Sequence, residues 1–469
     1  MKKVLSLSLA LLLLLALIAA CAPSEPEVVK ETVVVEVEKE VEKIVTQEVE
    51  TEVEVVVTAT PEPTPSERPQ MTFWMNYNFQ EAVNVLVKSQ VQEWAKANNV
   101  DVDILIAPDT DLHTKWAAGI EAPETLPDVS TIFYQWMPKF YAAGLMLDVS
   151  DAFEASNSLA GGFFPAAYEV ATIDGKQYGV PYIGSVTPAY WRTDKLEAAG
   201  LSEPPATYAE MKDWCEKVNE PGKFWCYGLG LGGYSDNEVQ MRNLLWSYGA
   251  KVTDEDGKTI AINSPETLEV LNWLKEMNEM GSFPPDMLVA DDAGNNKYYQ
   301  TGVAGAVVNT GSILAWMRDN DEELLNNTVL GPSPGGPAGT HAGGGFGAVL
   351  GAFNSTEHPE LAKSLIEWFT HPDRAWARAE AVSFGNLPTH VDAAKDPVWE
   401  DPYLKPFIEQ IQYAHPACYP GPATVACAEV QSQLVLTRMA QRVIDGSQTP
   451  EESMAQAEEE IIKIYEDNP

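Results

Sequence analysis

Apolar and polar positions along this chain follow two alternating periods, one typical of strands and one typical of helices. Strand-like segments lie at residues 71–75, 100–106 and 128–132, and helix-like segments lie between them at 82–97 and 112–119. Strands that alternate with amphipathic helices are typical of an α/β fold, in which ligands bind in loops that follow the strands. We therefore predict an α/β protein whose binding residues follow its strands.

A later helix has a recognisable start. Ser264 is a capping residue, and Pro265 suits the first turn of a helix. Apolar side chains then recur at helical spacing, which predicts that one face is core: Leu268, Leu271, Leu274 and Met277.

Length and charge narrow the possible functions. About 400 residues follow the start of the first strand, more than one ordinary core contains, so we expect two domains. The whole chain has 30 basic and 69 acidic residues, a formal net charge of −39. Such a chain repels phosphate backbones, which excludes nucleic acid as a partner and argues against a strongly anionic ligand.

The N-terminal residues predict export. Lys2 and Lys3 precede an apolar run at residues 5–20, which is shorter than the roughly 20 residues that a membrane-spanning helix needs. The run ends at Cys21, and the small residues before it resemble a bacterial lipobox. We predict a signal peptide at 1–20 and acylation of Cys21; an ordinary signal peptide beside a cysteine is the alternative.

Residues 21–70 differ sharply in composition from the rest of the chain. They are rich in Val, Glu, Lys and Thr, lack aromatic side chains and end in a proline-rich stretch. Their many like charges prevent a packed core. We predict a lipid-anchored, low-complexity stalk that holds the folded part away from the membrane.

Four cysteines after Cys21 predict disulfides. An exported chain tends to oxidise an even set of thiols, and pairing Cys215 with Cys226 and Cys418 with Cys427 closes two short loops. Four cysteines allow three pairings, and the sequence does not choose among them. A metal site is not expected, because there is no C-x-x-C motif and the six histidines are scattered.

Ordered landmarks along residues 71–469 carry a family resemblance. The most specific run is 174–182 (DGKQYGVPY) followed by 190–194 (YWRTD), and it lies between 126–129 (LPDV) and 385–389 (GNLPT). In these landmarks the chain resembles the extracellular solute-binding proteins of the maltose-binding type, often called family 1, which serve bacterial ABC importers.

The resemblance implies an α/β fold of the two-lobed, type II periplasmic-binding-protein kind, with the ligand cleft between the lobes. It implies an N-terminal lobe of residues 71–186 and 331–370 and a C-terminal lobe of residues 187–330 and 371–469. It also implies that a monomer captures a solute, most simply a sugar or oligosaccharide, and delivers it to permease subunits in the membrane. No cofactor and no catalysis are expected.

The expected ligand contacts are aromatic faces and amides, because sugars present C–H surfaces and hydroxyl groups. Post-strand positions and the resemblance together select these candidates: Trp74, Asn76, Tyr134, Trp136, Tyr182, Tyr234, Trp246, Asn309, Gly311, Phe346 and Tyr419. Tyr234 is the preferred stacking residue, and a disulfide beside Tyr419 would preorganise its loop. Core packing is the alternative for Trp136, Tyr182 and Trp246.

One departure from the family concerns the turn after Asn309. Maltose-type relatives often place a tryptophan directly after this turn, whereas this chain has Ser312 there and Trp316 farther along. Maltose itself is therefore not favoured as the ligand.

Two alternatives remain open. Relatives of the same build carry glycerol phosphates, polyamines or peptides; a phosphate would need Arg192, Arg242 or Lys115 in the cleft, and a polyamine would need carboxylates around aromatic rings. An exported glycan hydrolase would also have a signal and many aromatics, but the sequence has no G-x-S-x-G, H-E-x-x-H or S-x-x-K motif.

Overall fold

The computed structural model describes residues 68–468, with the exception of Phe79 and Phe346. The predicted signal peptide, Cys21, the stalk up to residue 67 and the candidate Phe346 therefore lie outside the described residues.

Eighteen α-helices are formed by the described residues: α1 Glu81–Asn98, α2 Asp109–Glu121, α3 Met137–Ala142, α4 Ser150–Asn157, α5 Pro165–Val170, α6 Thr193–Ala198, α7 Tyr208–Val218, α8 Ser235–Tyr248, α9 Pro265–Glu279, α10 Gly294–Gln300, α11 Ser312–Asn320, α12 Glu322–Asn326, α13 Pro359–Thr370, α14 Pro372–Ala381, α15 Lys405–Gln410, α16 Val425–Ser432, α17 Val435–Ile444 and α18 Pro450–Asp467. Helix α9 begins after Ser264, whose hydroxyl accepts a hydrogen bond from the Thr267 amide at 3.2 Å. The start predicted for this helix is therefore present.

The strands of the same residues are β1 Gln70–Asn76, β2 Asp101–Ala107, β3 Val129–Phe133, β4 Thr172–Ile173, β5 Lys176–Gln177, β6 Val180–Pro181, β7 Ser185–Val186, β8 Ala189–Arg192, β9 Trp225–Tyr227, β10 Ala304–Val308, β11 Thr328–Gly331, β12 Gly344–Gly345 and β13 Ala348–Ala352. They form two main sheets. One has the order β2-β1-β3-β13-β6, and the other has the order β11-β8-β10-β9.

The first sheet belongs to one lobe, in which β1 runs parallel to both β2 and β3 while β13 runs antiparallel to β3. Alternate residues of β1 point to opposite faces, so that Phe73 and Met75 enter the core. The core of this lobe is dominated by large buried side chains such as Trp94, Phe153 and Phe369.

The second sheet belongs to the other lobe, in which β8 lies antiparallel between β10 and β11 and β10 runs parallel to β9. Helices α8, α9 and α17 pack around one side of it. Trp191 is fully buried there against Trp214, as expected for a residue inside a strand.

Strands β7 and β12 form a separate antiparallel pair outside the two main sheets. Along the chain β7 follows β6 of the first sheet and precedes β8 of the second, whereas β12 follows β11 of the second sheet and precedes β13 of the first. The chain therefore passes between the lobes at this ribbon in both directions.

Two contacts lie close to positions 330 and 370, where the later changes of lobe are predicted. Leu330 is part of the edge strand β11, and the loop after it still bonds to the second lobe, since the Gly335 amide donates to the Ala206 carbonyl at 2.8 Å. Helix α14 packs on α1 of the first lobe, where Arg378 donates to Gln90. These contacts do not fix the residues at which the chain changes lobe, and the lobe ranges stay predictions.

Two disulfides are present, and they are the local pairings favoured from the sequence. Cys215 of α7 pairs with Cys226 of β9 at a Cα separation of 5.2 Å, and Cys418 pairs with Cys427 at 5.9 Å.

We expect the double substitution Cys418→Ser with Cys427→Ser to lower the free energy of unfolding by about 2.5 kcal/mol, because the unfolded chain gains loop entropy. Chemical denaturation measures this loss, and an unchanged midpoint would contradict it.

Among residues 68–468, apart from the two exceptions, no helix is both long and apolar enough to cross a membrane. In the same part of the chain, no group of three or more His, Cys, Asp or Glu side chains is arranged to hold a metal ion.

Candidate ligand-binding cleft

A cavity of about 860 Å³ opens between the two lobes. The first lobe contributes the starts of α1 and α2 to its wall, and the second lobe contributes the start of α8 and one side of α10 and α11 along their whole length. Its volume falls within the range of about 300–1,000 Å³ that is usual for small-molecule sites. The polar residues of its lining are Gln80, Glu81, Asp109, Ser235, Asp236, Asp292, Asn296, Lys297, Gln300, Asn309, Thr310, Ser312, Asp319 and Asn320.

Trp316 provides an aromatic surface in this lining. It lies on α11 one helical turn after Ser312, and residues four apart share one face of a helix. Ser312 occupies the position at which the sequence resemblance leads us to expect a tryptophan. The Trp316 indole lines the cavity instead, from the next turn of the same helix.

An amide network holds the second-lobe wall in place. The side-chain amide of Asn309 donates to Asn295 Oδ1 at 2.9 Å and to the side-chain oxygen of Asn296. Its Oδ1 accepts a hydrogen bond from the backbone amide of Thr310 at 2.7 Å. Asn296 in turn donates to the Ser312 hydroxyl at 3.0 Å. Because these side chains fix one another, their remaining polar atoms are preorganised to meet a ligand's hydroxyl groups.

Of the five acidic residues that line the cavity, three from separate segments interact with one another. The Asp236 backbone amide donates to Asp292 Oδ1 at 3.2 Å, and Asp109 faces them from the first lobe. Burial, followed by the Asp292 carboxylate, raises the pKa of Asp236 to about 6. Burial and then Asp292 likewise raise the pKa of Asp109 to about 6. Asp109 keeps contact with solvent, so water screens its charge more strongly.

The raised pKa of Asp236 predicts a pH dependence of stability. The Asp236 carboxyl keeps its proton up to about pH 6 in the folded chain, whereas the unfolded chain releases it near pH 3.8. The charged carboxylate therefore lowers the free energy of unfolding at pH 7. This loss of stability fades as the pH falls from 6 to 4, because the folded chain then takes up the proton. We expect Asp236→Asn to raise the free energy of unfolding by about 1 kcal/mol at pH 7 and by much less at pH 4.5.

Chemical denaturation of both chains at the two pH values measures this difference. Asp213→Asn, on the exposed face of α7, is the matched control and should change stability equally at both. An Asp236→Asn gain that grows as the pH falls would contradict the assignment.

Among the candidates predicted from the sequence, Asn309 lies in the wall of the large cavity. Tyr234 directly precedes Ser235 and Asp236, which also line this cavity. The Tyr234 side chain is 44% exposed. It therefore remains accessible to a ligand at the rim, although it is not part of the lining.

Asn76 and Tyr182 lie together at a second, smaller cavity of about 40 Å³. Tyr182 is buried, and its hydroxyl donates to Asn76 Oδ1 at 3.1 Å. This pair is separate from the wall of the large cavity.

Tyr134, Trp246 and Tyr419 gather around Arg242 and His415. Arg242 of α8 donates to the Tyr134 hydroxyl of the first lobe at 3.1 Å, and its guanidinium also lies 5.8 Å from the Trp246 ring centre. Trp246 meets the edges of His415 and Tyr419, which stack on each other with centres 3.7 Å apart. Arg242 therefore connects the lobes through a cation–aromatic cluster.

A second polar contact between the lobes lies beside this cluster. Lys139 of α3 forms an ion pair with Glu429 of α16 at 2.7 Å and donates to the Ser432 hydroxyl at 3.0 Å. Both contacts bring α3 and α16 together in this conformation.

Trp74, Trp136 and Gly311 lie in packing positions. The Trp74 ring faces Lys115 of α2 at 5.3 Å, and Trp136 packs with Trp116 and other rings of the first lobe. A Cβ at Gly311 would overlap Gly385, whose carbonyl accepts the Gly311 amide at 3.2 Å. Gly311 thus permits a close backbone contact.

Several cleft residues were not selected from the sequence. Asp236 lies two residues after the candidate Tyr234, so its position was a usable signal, and the helical spacing from Ser312 to Trp316 was another. Asp109 and Asp292 follow no motif, because only the packing of distant segments brings them to one cavity.

Comparison with known proteins gives a family match over most of the chain. The family model described as bacterial extracellular solute-binding protein matches residues 89–406. A Brucella abortus (strain 2308) protein named as a binding protein is 25% identical over 287 residues, 61% of this chain and 66% of the relative. A maltotriose-binding protein of Pyrococcus abyssi is 23% identical over 321 residues, 67% of this chain and 66% of the relative. The match thus spans just under two thirds of these relatives' length.

A solved structure has the same fold. It is an ABC transporter solute-binding protein from Thermotoga lettingae TMO bound with alpha-D-tagatose, with a TM-score of 0.73 and 20% sequence identity. The likeness covers 85% of this chain and 100% of that one. The predicted two-lobed α/β fold is confirmed.

Proposed function

Because this chain belongs to the bacterial extracellular solute-binding protein family, we propose that it is the exported, ligand-capturing component of an ABC importer. The observation that carries the proposal is the 860 Å³ cavity between the lobes, lined by carboxylates, amides and Trp316. A ligand that touches both walls would favour one relative position of the lobes. A permease could then distinguish the loaded protein from the empty one.

The chemistry of the lining supports a carbohydrate ligand. Hydroxyl groups of a sugar can donate to the carboxylates and exchange hydrogen bonds with Asn296 and Asn309, while its C–H face covers the Trp316 ring. The Pyrococcus relative is named for maltotriose and the Thermotoga structure holds tagatose, which agrees with this class.

A cationic solute is the second candidate. Asp109, Asp236 and Asp292 concentrate negative charge at one part of the cavity, and Lys297 is engaged by Asp291 at 3.0 Å. A protonated amine placed there would relieve the repulsion between the carboxylates. A polyamine or an amino sugar has this chemistry.

Ligand titration of the purified full chain separates the two classes. The panel contains mono-, di- and trisaccharides, spermidine and glycerol 3-phosphate, each tested by its effect on the melting temperature, because a ligand that binds only the folded state raises it. We expect a carbohydrate to raise Tm. A response to spermidine alone would favour the cationic solute, and cleavage of glycans with no rise in Tm would reject the receptor function.

The location and partners follow from the same proposal. Acylated Cys21 would anchor the chain to the membrane, and the stalk would leave the folded part, a monomer, free to meet permease subunits. Labelling of producing cells with a radioactive fatty acid tests the anchor: the wild type should incorporate the label and Cys21→Ser should not, and equal labelling of both would contradict acylation.

A further inference from the structure

Arg378 of α14 is a buried cation without a charged partner among the residues that the structure describes. Its side chain is 5% exposed, and its Nη1 donates to the neutral Gln90 Oε1 at 2.7 Å. The guanidinium lies 3.9 Å from the centre of the Phe369 ring. Its Nη2 is buried and has no hydrogen-bond partner within the described part of the chain.

The electrostatics of Arg378 are correspondingly unfavourable. Among the ion pairs of the described residues, none includes Arg378. Burial lowers its pKa to about 9, with Tyr182 acting in the opposite direction and the charge of the neighbouring Arg374 in the same one. A buried charge without a counter-ion is costly, so a fold that keeps one usually supplies compensation.

The cavity of about 40 Å³ adjoins this side chain. Arg378 lines it together with apolar residues and with these polar side chains from β1, α1 and the loops nearby: Asn76, Asn78, Asn84, Tyr182 and Asn386. A water molecule needs about 10–15 Å³ of such space, so the cavity has room for a larger guest. It is too small for a sugar, which separates it from the proposed cleft.

We propose that this cavity binds a small inorganic monoanion of the size of chloride, with Arg378 as its charged donor. One negative charge neutralises the one guanidinium charge, whereas a dianion would leave a net charge buried. The unpartnered Nη2 supplies a charge-assisted hydrogen bond, and the amide side chains of the lining can add neutral donors. The anion would connect α14 to α1 and to the segment after β6, and so stabilise the first lobe.

Replacement of gluconate by chloride at constant ionic strength tests the site in the full chain. We expect chloride to raise the melting temperature of the wild type saturably, by about 2 °C, and to have no such effect on Arg378→Gln. Arg374→Gln is the matched control, because Arg374 lies on the same helix with its guanidinium 3.2 Å from the Trp368 ring centre and does not line the cavity. This variant should keep the chloride response.

Anomalous diffraction from wild-type crystals grown in bromide provides a second measurement that does not depend on a variant's folding. A bromide peak in contact with Arg378 Nη2 would support the proposal. Ordered water without an anomalous signal at this position would overturn it. So would an identical chloride response in the wild type and in Arg378→Gln.

Discussion

Trp316→Ala is expected to weaken carbohydrate binding about 100-fold, a loss of about 3 kcal/mol. Trp316 lines the cavity as a flat, half-buried aromatic surface, and no neighbouring ring of the described lining can replace it. Removing the indole exposes the C–H face of the sugar to water and takes away the surface that orients it. Isothermal titration with the carbohydrate identified in the panel measures the change in Kd.

Two further variants make this result specific. Trp316→Phe keeps an aromatic face and should lose much less affinity than Trp316→Ala. Trp368→Ala is the control, because Trp368 lies on α13 of the first lobe and its Nε1 donates to the Gln90 carbonyl at 3.1 Å, away from the cavity. Equal losses for Trp316→Ala and Trp368→Ala would show a general effect of destabilisation and would remove Trp316 from the site.

Glu238→Ala is expected to lower the free energy of unfolding by about 4 kcal/mol. Glu238 of α8 is completely buried, and its carboxylate accepts the Leu436 amide at 3.1 Å and both the amide and the hydroxyl of Thr437 at 2.7 Å. These donors form the first turn of α17, whose preceding residue Leu434 provides no side-chain cap. Without the carboxylate, the turn keeps buried donors that have lost their acceptor.

Chemical denaturation measures this loss. Glu238→Gln retains one acceptor oxygen and should lose roughly half as much stability. Glu459→Ala, on the exposed face of α18, is the control and should change stability by less than about 0.5 kcal/mol. A small effect of Glu238→Ala would mean that water can replace the carboxylate, and the assigned role as a tertiary helix cap would be wrong.

The regular elements of the first lobe could be predicted from local pattern. The predicted strands at 71–75, 100–106 and 128–132 lie within one residue of β1, β2 and β3 at each end. Periodicity suffices for this because alternation and helical spacing are properties of neighbouring residues. The start of α9 was visible for the same reason, since a cap and its partner are only three residues apart.

The disulfides show where local information ends. The sequence allowed three pairings, and the choice depends on α7 and β9 lying side by side, which brings Cys215 next to Cys226. Glu238 is a stronger case, because its hydrogen bond to Thr437 joins residues 199 positions apart. No spacing rule connects such a carboxylate to a helix end.

By itself, the sequence determined the α/β class, the likeness to solute-binding proteins and the position of Asn309 after a strand, because each depends on a local pattern or on ordered landmarks. The tertiary structure alone decided which side chains share a cavity. It placed Trp316 in the cleft and grouped Asp109 with Asp236 and Asp292. The physical reason is that burial, charge repulsion and hydrogen bonding between distant segments depend on distances that only the packed chain defines.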